Sequence, residues 1–172
     1  TSITRHLIYI ALALTPTWGS AENTLCTKSE KVIFSCKVQK SIKTVSVCGS
    51  KSLTRNSGYL QYRFGTEQRV EFVYPTTKVS SQERFYWGEK HLMEGSFIGE
   101  LTFINHGYIY TIGVHDVAEK LNDVPGGSQG GEVVVQKSGD PKISRLTCEG
   151  FPYGEFYLQG IVRDENDLIG AK

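Results

Sequence analysis

The chain has 172 residues, of which 39% are hydrophobic, 22% charged and 11% aromatic, enough apolar surface for one packed domain and too much for a disordered chain. Lys plus Arg is 19 against 18 Asp plus Glu, which leaves no basic field of the kind that recruits nucleic acid. Four Cys, a single Met, nine Tyr and eight Phe point to a small exported all-β domain.

Residues 1–21 read as an export signal. Arg5 and His6 precede the apolar run Leu7-Ile8-Tyr9-Ile10-Ala11-Leu12-Ala13-Leu14, and Gly19-Ser20-Ala21 supplies the small residues of a cleavage site. The run is too short to cross a hydrocarbon core of about 30 Å. Thr1 stands where an initiator Met is expected, so the sequence is expected to be truncated at its start. The rival reading is a first strand or helix of the fold. Cleavage after Ala21 leaves residues 22–172 as a single β domain of balanced charge. Cys26 lies beyond the cleavage point, so no lipid-anchored Cys is expected and no stable membrane insertion follows cleavage.

Short alternating apolar runs follow, separated by turn residues. Val32, Phe34, Cys36 and Val38 share one face of a first strand. Val45 and Val47 lie in a second, across a tight connection at 39–41. Residues 59–64 and 70–74 form a hairpin in which Phe64 meets Val70, Tyr62 meets Phe72 and Leu60 meets Tyr74, with Arg63 opposite Glu71. Arg84-Phe85-Tyr86-Trp87, inside the long connection 75–98, is a further short strand. Residues 100–104 and 108–114 pair through a His106-Gly107 turn, with Phe103 against Tyr110 and Leu101 against Ile112. Residues 132–137 and 142–148 form a third hairpin through Ser138-Gly139-Asp140-Pro141, with Val134, Leu146 and Cys148 on one face.

Residues 115–131, with Pro125-Gly126-Gly127-Ser128-Gln129-Gly130-Gly131, read as a mobile loop. The tail at 153–162 reads as a short helix or a last strand, the helix being favoured. Seven or eight strands joined mostly by hairpins make an antiparallel β-barrel or sandwich.

An even number of Cys in an exported chain implies two disulfides. Neither C-x-x-C nor H-x3-H spacing is present, so no metal site is expected. Four Cys allow three pairings. With a tight turn at 39–41, Cys48 faces residues near 31–33, which puts a Cys36–Cys48 bond out of register. Cys36 and Cys148 lie on apolar strand faces, whereas Cys48 alternates outward with Ser46. The expected pairing is Cys26–Cys48 with Cys36–Cys148, and the long second loop is worth about 4 to 5 kcal/mol in the chain-entropy model.

No constellation argues for catalysis. No G-x-S-x-G elbow, P-loop or dinucleotide fingerprint occurs, and no cofactor is implied. His106 belongs to a turn, where His tolerates positive φ. His115-Asp116 offers a base beside an acid, but adjacent strand residues point to opposite faces. Glu94, Glu100, Asp116 and Glu119 read as solvated surface. The aromatics at 59, 62, 64, 72, 74, 103, 108 and 110 mostly fill the interior. Four bulky residues in succession at 84–87 cannot all face one core, so at least one ring is expected at the surface or in a second layer. The rival reading is a strand buried on both faces. Tyr59, Tyr86, Trp87 and His91 are therefore the candidate binding residues, for a protein or glycan partner.

Phe34-Ser35-Cys36, Val45-Ser46-Val47-Cys48 and Ser57-Gly58-Tyr59-Leu60-Gln61-Tyr62-Arg63-Phe64-Gly65 together resemble a group of exported bacterial proteins. The resemblance spans mainly residues 26–75 and implies export in a Gram-negative bacterium and one β domain. In architecture the chain also resembles the periplasmic lysozyme inhibitors, small disulfide-containing antiparallel barrels. One such family inserts a Ser-Gly-x-x-Tyr loop into the lysozyme cleft. Here Ser57-Gly58 and Tyr62 are one residue further apart, and the hairpin register turns Tyr62 inward.

The expected function is thus a secreted or periplasmic, non-catalytic binding module, in its most concrete form an inhibitor of lysozyme or another envelope hydrolase. It would present residues 53–59 or 86–93 to an enzyme cleft. The alternatives are a cell-envelope hydrolase using His115 with a carboxylate such as Glu100, and a structural component of the envelope.

Overall fold

The structure, a computed structural model, describes residues 23–118 and 128–169. The export leader and Pro125-Gly126-Gly127 lie outside the described residues. Ten strands form two sheets packed as a sandwich rather than a closed barrel. The smaller sheet is β1 (Glu30–Lys37), β2 (Thr44–Ser50), β3 (Leu60–Gly65) and β4 (Val70–Tyr74), in that order. The larger contains β5 (Tyr86–His91), β6 (Phe97–Asn105), β7 (Tyr108–Val117), β8 (Ser128–Lys137), β9 (Ile143–Thr147) and the two-residue β10 (Arg163–Asp164), ordered β10-β5-β6-β7-β8-β9. All pairings are antiparallel except β10 with β5. A single-turn helix, α1 (Asn166–Ile169), follows β10.

The β6–β7 hairpin has the expected register, with Phe103 opposite Tyr110 and Leu101 opposite Ile112. His106 at φ 48 and Gly107 at φ 78 supply the two positive torsions that a two-residue turn between twisted strands requires. Alternation then sends Leu101, Phe103 and Ile112 into the core, all fully buried. Opposite them the smaller sheet contributes Tyr62, Phe72 and Tyr74. Tyr74 stacks on Phe103 with centroids 4.3 Å apart, and Phe72 on Tyr110 at 5.6 Å.

Three registers differ from expectation. In β3–β4, Phe64 meets Phe72 and Tyr62 meets Tyr74, two residues away from the expected pairing. An irregularity after Phe64 and the four-residue turn closed by mutual backbone bonds of Thr66 and Arg69 absorb the difference. A shift of two preserves the face, so the same rings still reach the core. Arg63 lies opposite Val73 rather than Glu71, and Glu71 instead pairs with Lys43 at 2.6 Å. In β1 a bulge between Val32 and Phe34 turns Ile33 into the core in place of Val32. In β8, Val133 pairs with Leu146, and Val133 and Val135 face inward while Val134 faces out.

Residues expected in the mobile loop are partly strand. β7 runs to Val117 and β8 begins at Ser128, with His115 paired to Gly130 and Asp116 to Gln129. The tail at 153–162 is irregular rather than helical. It first runs along the edge of β1, where Tyr153 and Ser35 exchange backbone bonds of 2.9 and 2.7 Å. It then buries Leu158 and Val162 before β10.

Both disulfides form as expected, Cys26–Cys48 with Cα atoms 5.4 Å apart and Cys36–Cys148 at 5.5 Å. Closed disulfides are the state of an oxidising, extracytoplasmic compartment. No helix among the described residues is long and apolar enough to cross a membrane. Cys26 also anchors residues 23–27 over the outer face of the smaller sheet. There Ser35 donates to Asn23 O at 2.7 Å, Ser46 accepts from Leu25 N–H at 2.9 Å, and Arg63 donates to Leu25 O at 2.9 Å. A polar layer is thereby enclosed outside the aromatic core.

Candidate binding loop

Residues 51–59 connect β2 to β3, and Lys51, Ser52, Thr54, Arg55, Asn56 and Ser57 are exposed. Exposure would ordinarily leave such a segment mobile, but its own small residues close it. Ser50 N–H donates to Tyr59 O at 3.0 Å and Tyr59 N–H returns a bond to Ser50 Oγ at 3.2 Å. Nearer the tip, Thr54 N–H donates to Ser57 O at 2.9 Å, and the two hydroxyls of Thr54 and Ser57 lie 2.8 Å apart. Ser57 Oγ also donates to Ser52 O at 3.0 Å. Gly58 adopts φ +85, and a Cβ there would stand 2.2 Å from Ser50 Oγ and 2.9 Å from Leu53 Cα. Only glycine fits this path.

A long-range tether completes the loop. The turn at Ser81–Arg84 is buried through Ser81 and Gln82. Ser81 Oγ accepts from Leu60 N–H at 2.8 Å and donates to Leu60 O at 2.7 Å, while Gln82 Nε2 donates to Arg55 O at 3.1 Å. Arg55 and Asn56 then form one wall of a cleft of about 260 Å³ whose other walls are Glu83, Ile161, Val162 and Arg163. Residues 51–59 contain Lys51 and Arg55 and no acid. Neither cation belongs to an ion pair among the described residues. The loop is a pre-ordered, exposed, positively charged prong.

Tyr59, at its base, is engaged. Its hydroxyl donates to Glu30 Oε1 at 2.7 Å, and Lys78 Nζ lies 4.2 Å above its ring. Glu30, whose side chain is fully buried, also receives both Arg63 nitrogens, at 2.7 and 2.6 Å, and Thr27 N–H at 2.8 Å. Burial by itself would raise the Glu30 pKa. The bonds from Arg63, Thr27 N–H and Tyr59 outweigh it and hold the carboxyl well below the usual carboxylate range.

The other candidates are placed apart from the loop. Trp87 and Tyr86 are 4% and 8% exposed, and Phe85 is fully buried. At Phe85–Trp87 the chain is buried on both faces, as the rival reading had it, and no ring of this run reaches the surface. Trp87 sits in the core against Phe156 and donates from Nε1 to Glu89 at 2.9 Å. Tyr86 lies on the other face beneath Arg163, whose guanidinium is 5.8 Å from its ring. His91 is exposed at the end of β5, 3.3 Å from Glu89 Oε1, next to the exposed Leu92 and Met93.

His115 and Glu100 share the outward face of the larger sheet but sit diagonally, His115 opposite Ile98 and Glu100 opposite Gly113. Asp116 points to the other face, where it accepts from Gln129 at 2.8 Å. His115 lines a cavity of about 310 Å³ in which the carboxylate is Glu132, and Glu132 is paired with Arg145. The geometry assembles no acid–base pair around His115 from the described residues. Nor do three or more His, Cys, Asp or Glu side chains among them converge as metal ligands.

Sequence reasoning passed over Arg55, whose signal is its place in an acid-free turn between two strands. It also passed over Phe151, Tyr153 and Tyr157, each about half exposed, which alternate with the inward Pro152, Phe156 and Leu158. That period of two was the available signal. Against known protein families, curated proteins and solved structures, the chain matches none.

Proposed function

We propose that the protein is an exported, non-catalytic binding module, periplasmic or secreted, that inserts its 51–59 loop into a cleft on a partner protein. An inhibitor of lysozyme or of another envelope hydrolase is the most concrete form of this reading. The observation that carries it is the loop itself: two cations and no acid, held rigid by internal bonds and by Gln82 before any partner arrives. A preorganised loop loses little conformational entropy on binding. Hydrolase clefts that act on glycans carry paired carboxylates, the complement of a protruding guanidinium.

The Ser57-Gly58 pair supports the reading in a second way, because it shapes the turn that leaves Arg55 and Asn56 at the tip. Arg55→Ala tests it. The side chain is exposed and its backbone carbonyl, not its guanidinium, accepts the Gln82 bond. The variant is expected to keep its unfolding midpoint and to lose about tenfold or more in affinity for the inhibited enzyme. Equal inhibition by wild type and R55A would overturn the loop as the contact.

A further inference from the structure

The two edges of the smaller sheet are finished differently. β1 is covered by the chain that descends from β9: Glu149 N–H donates to Lys37 O at 2.8 Å and Glu155 N–H to Val32 O at 3.1 Å, on either side of the Tyr153–Ser35 bridge. β4 has β3 on one side and, among the described residues, no strand on the other. Its sequence, Val-Glu-Phe-Val-Tyr, carries none of the Lys or Pro residues that blunt exposed edges.

A groove of about 560 Å³ lies beside this open edge, walled by Glu71, Phe72 and Tyr74 and, across it, by Arg84, Asn105 and His106. Its aromatic side is fixed by the stacking of Phe72 on Tyr110 and of Tyr74 on Phe103. Its charges are unequal. Glu71 is already neutralised by Lys43 at 2.6 Å, whereas Arg84 is exposed and forms no ion pair among the described residues. Backbone donors and acceptors with no partner strand among the described residues, aromatic surface for alternate side chains and a guanidinium that bonds the Tyr74 hydroxyl but has no carboxylate partner are the parts from which strand addition with selection for an acid is built.

We propose that β4 is a docking edge for an extended, acid-bearing peptide segment of a partner protein, which adds to the smaller sheet as a fifth strand and sets a carboxylate against Arg84. The five residues of β4 reach roughly 17 Å, so the recognised segment is about five residues long. A second copy of β4 is the less suitable occupant, because its one acid, Glu71, is already paired with Lys43 and would leave Arg84 unmatched. This edge is separate from the 51–59 loop, and the proposal stands or falls without the inhibitor reading.

The test uses the isotope-labelled full chain, oxidised, and blocked peptides of about seven residues alternating Val and Thr, with Asp, Asn or Lys at one central position. Amide shifts and hydrogen exchange at residues 70–74 are followed. The Asp peptide is expected to protect these amides and to bind about tenfold more tightly than the Asn and Lys peptides, an advantage that disappears in Arg84→Gln. The unfolding midpoint of R84Q confirms that the variant is folded. The proposal is overturned if no peptide protects 70–74, if Asp and Lys peptides bind alike, or if the peptide-free chain is a dimer with these amides already protected.

Discussion

The Arg63 guanidinium grips the Glu30 carboxylate through two parallel bonds, Nη1 to Oε2 at 2.7 Å and Nη2 to Oε1 at 2.6 Å. The pair joins β3 to the start of β1 across an intervening strand and beneath residues 23–27. It lies outside the aromatic core, yet the Glu30 side chain is fully buried. Three strands, the candidate loop and the segment after β4 meet at this point, since Tyr59 and Lys78 bond to the same carboxylate.

Removing one partner of such a pair strands the other charge in a desolvated site. Glu30→Ala is expected to cost about 3 to 5 kcal/mol, read as a lower urea midpoint. Replacing Glu30 and Arg63 together by Met should cost less than the two single changes added, because no orphan charge is left. Strict additivity in that cycle would show the two groups to be independent.

The same carboxyl sets an acid dependence. Its folded-state pKa is depressed below the ordinary 4.5, so its contribution is complete above that pH and is lost as pH falls through and below it. Urea midpoints of the wild type should therefore decline on acidification from pH 4.5 downward, and those of Glu30→Gln should decline less steeply. Parallel declines would remove Glu30 as the titrating group.

The two disulfides close loops of very different size, with sequence separations of 22 and 112. The chain-entropy model assigns about 3.4 kcal/mol to the first and about 4.8 kcal/mol to the second. Cys36→Ser with Cys148→Ser should thus lower stability more than Cys26→Ser with Cys48→Ser. The smaller loop has a local consequence instead, because Cys26 holds residues 23–27 over Glu30 and Arg63. Its loss should speed hydrogen exchange at Leu25 N–H and Thr27 N–H, the donors to Ser46 and Glu30.

Two glycines with similar torsions should respond differently to alanine. Gly107, at φ +78, has nothing within 4 Å of a built Cβ, so Gly107→Ala carries only the left-handed strain of roughly 1 kcal/mol. Gly58→Ala adds a collision with Ser50 Oγ and the Leu53 backbone. It is expected to destabilise more than Gly107→Ala and to raise hydrogen exchange at the amides of Leu53 and Thr54. Equal exchange in both variants would contradict the rigid-loop description.

Much of the fold could be read where local chemistry decides it. His106-Gly107 admits a two-residue turn, and that turn alone dictates every pairing in β6–β7. The disulfide pattern followed from the same kind of reasoning, since Cys48 does lie opposite Val32. Two of the three misplaced registers, in β1 and β3–β4, have one physical cause. A bulge at Ile33 and an irregular turn at 65–69 each insert residues that strict alternation does not count. The Gly-rich residues at 128–131 look like loop by composition, but β7 supplies a partner ladder that holds them in strand.

The site was legible only in part. Loop 53–59 stands out in the sequence, but what makes it rigid is the Gln82 bond to Arg55 O, across a separation of 27 residues. Trp87 misled because a strand between two others, covered on both faces, can bury consecutive rings.

The most direct test of the central claim is inhibition of a panel of lysozymes of different types by the oxidised protein, with R55A alongside. The account predicts stoichiometric inhibition of one type by the wild type and about tenfold weaker inhibition by a fully folded R55A. Absence of inhibition across every type, or inhibition indifferent to Arg55, would contradict it.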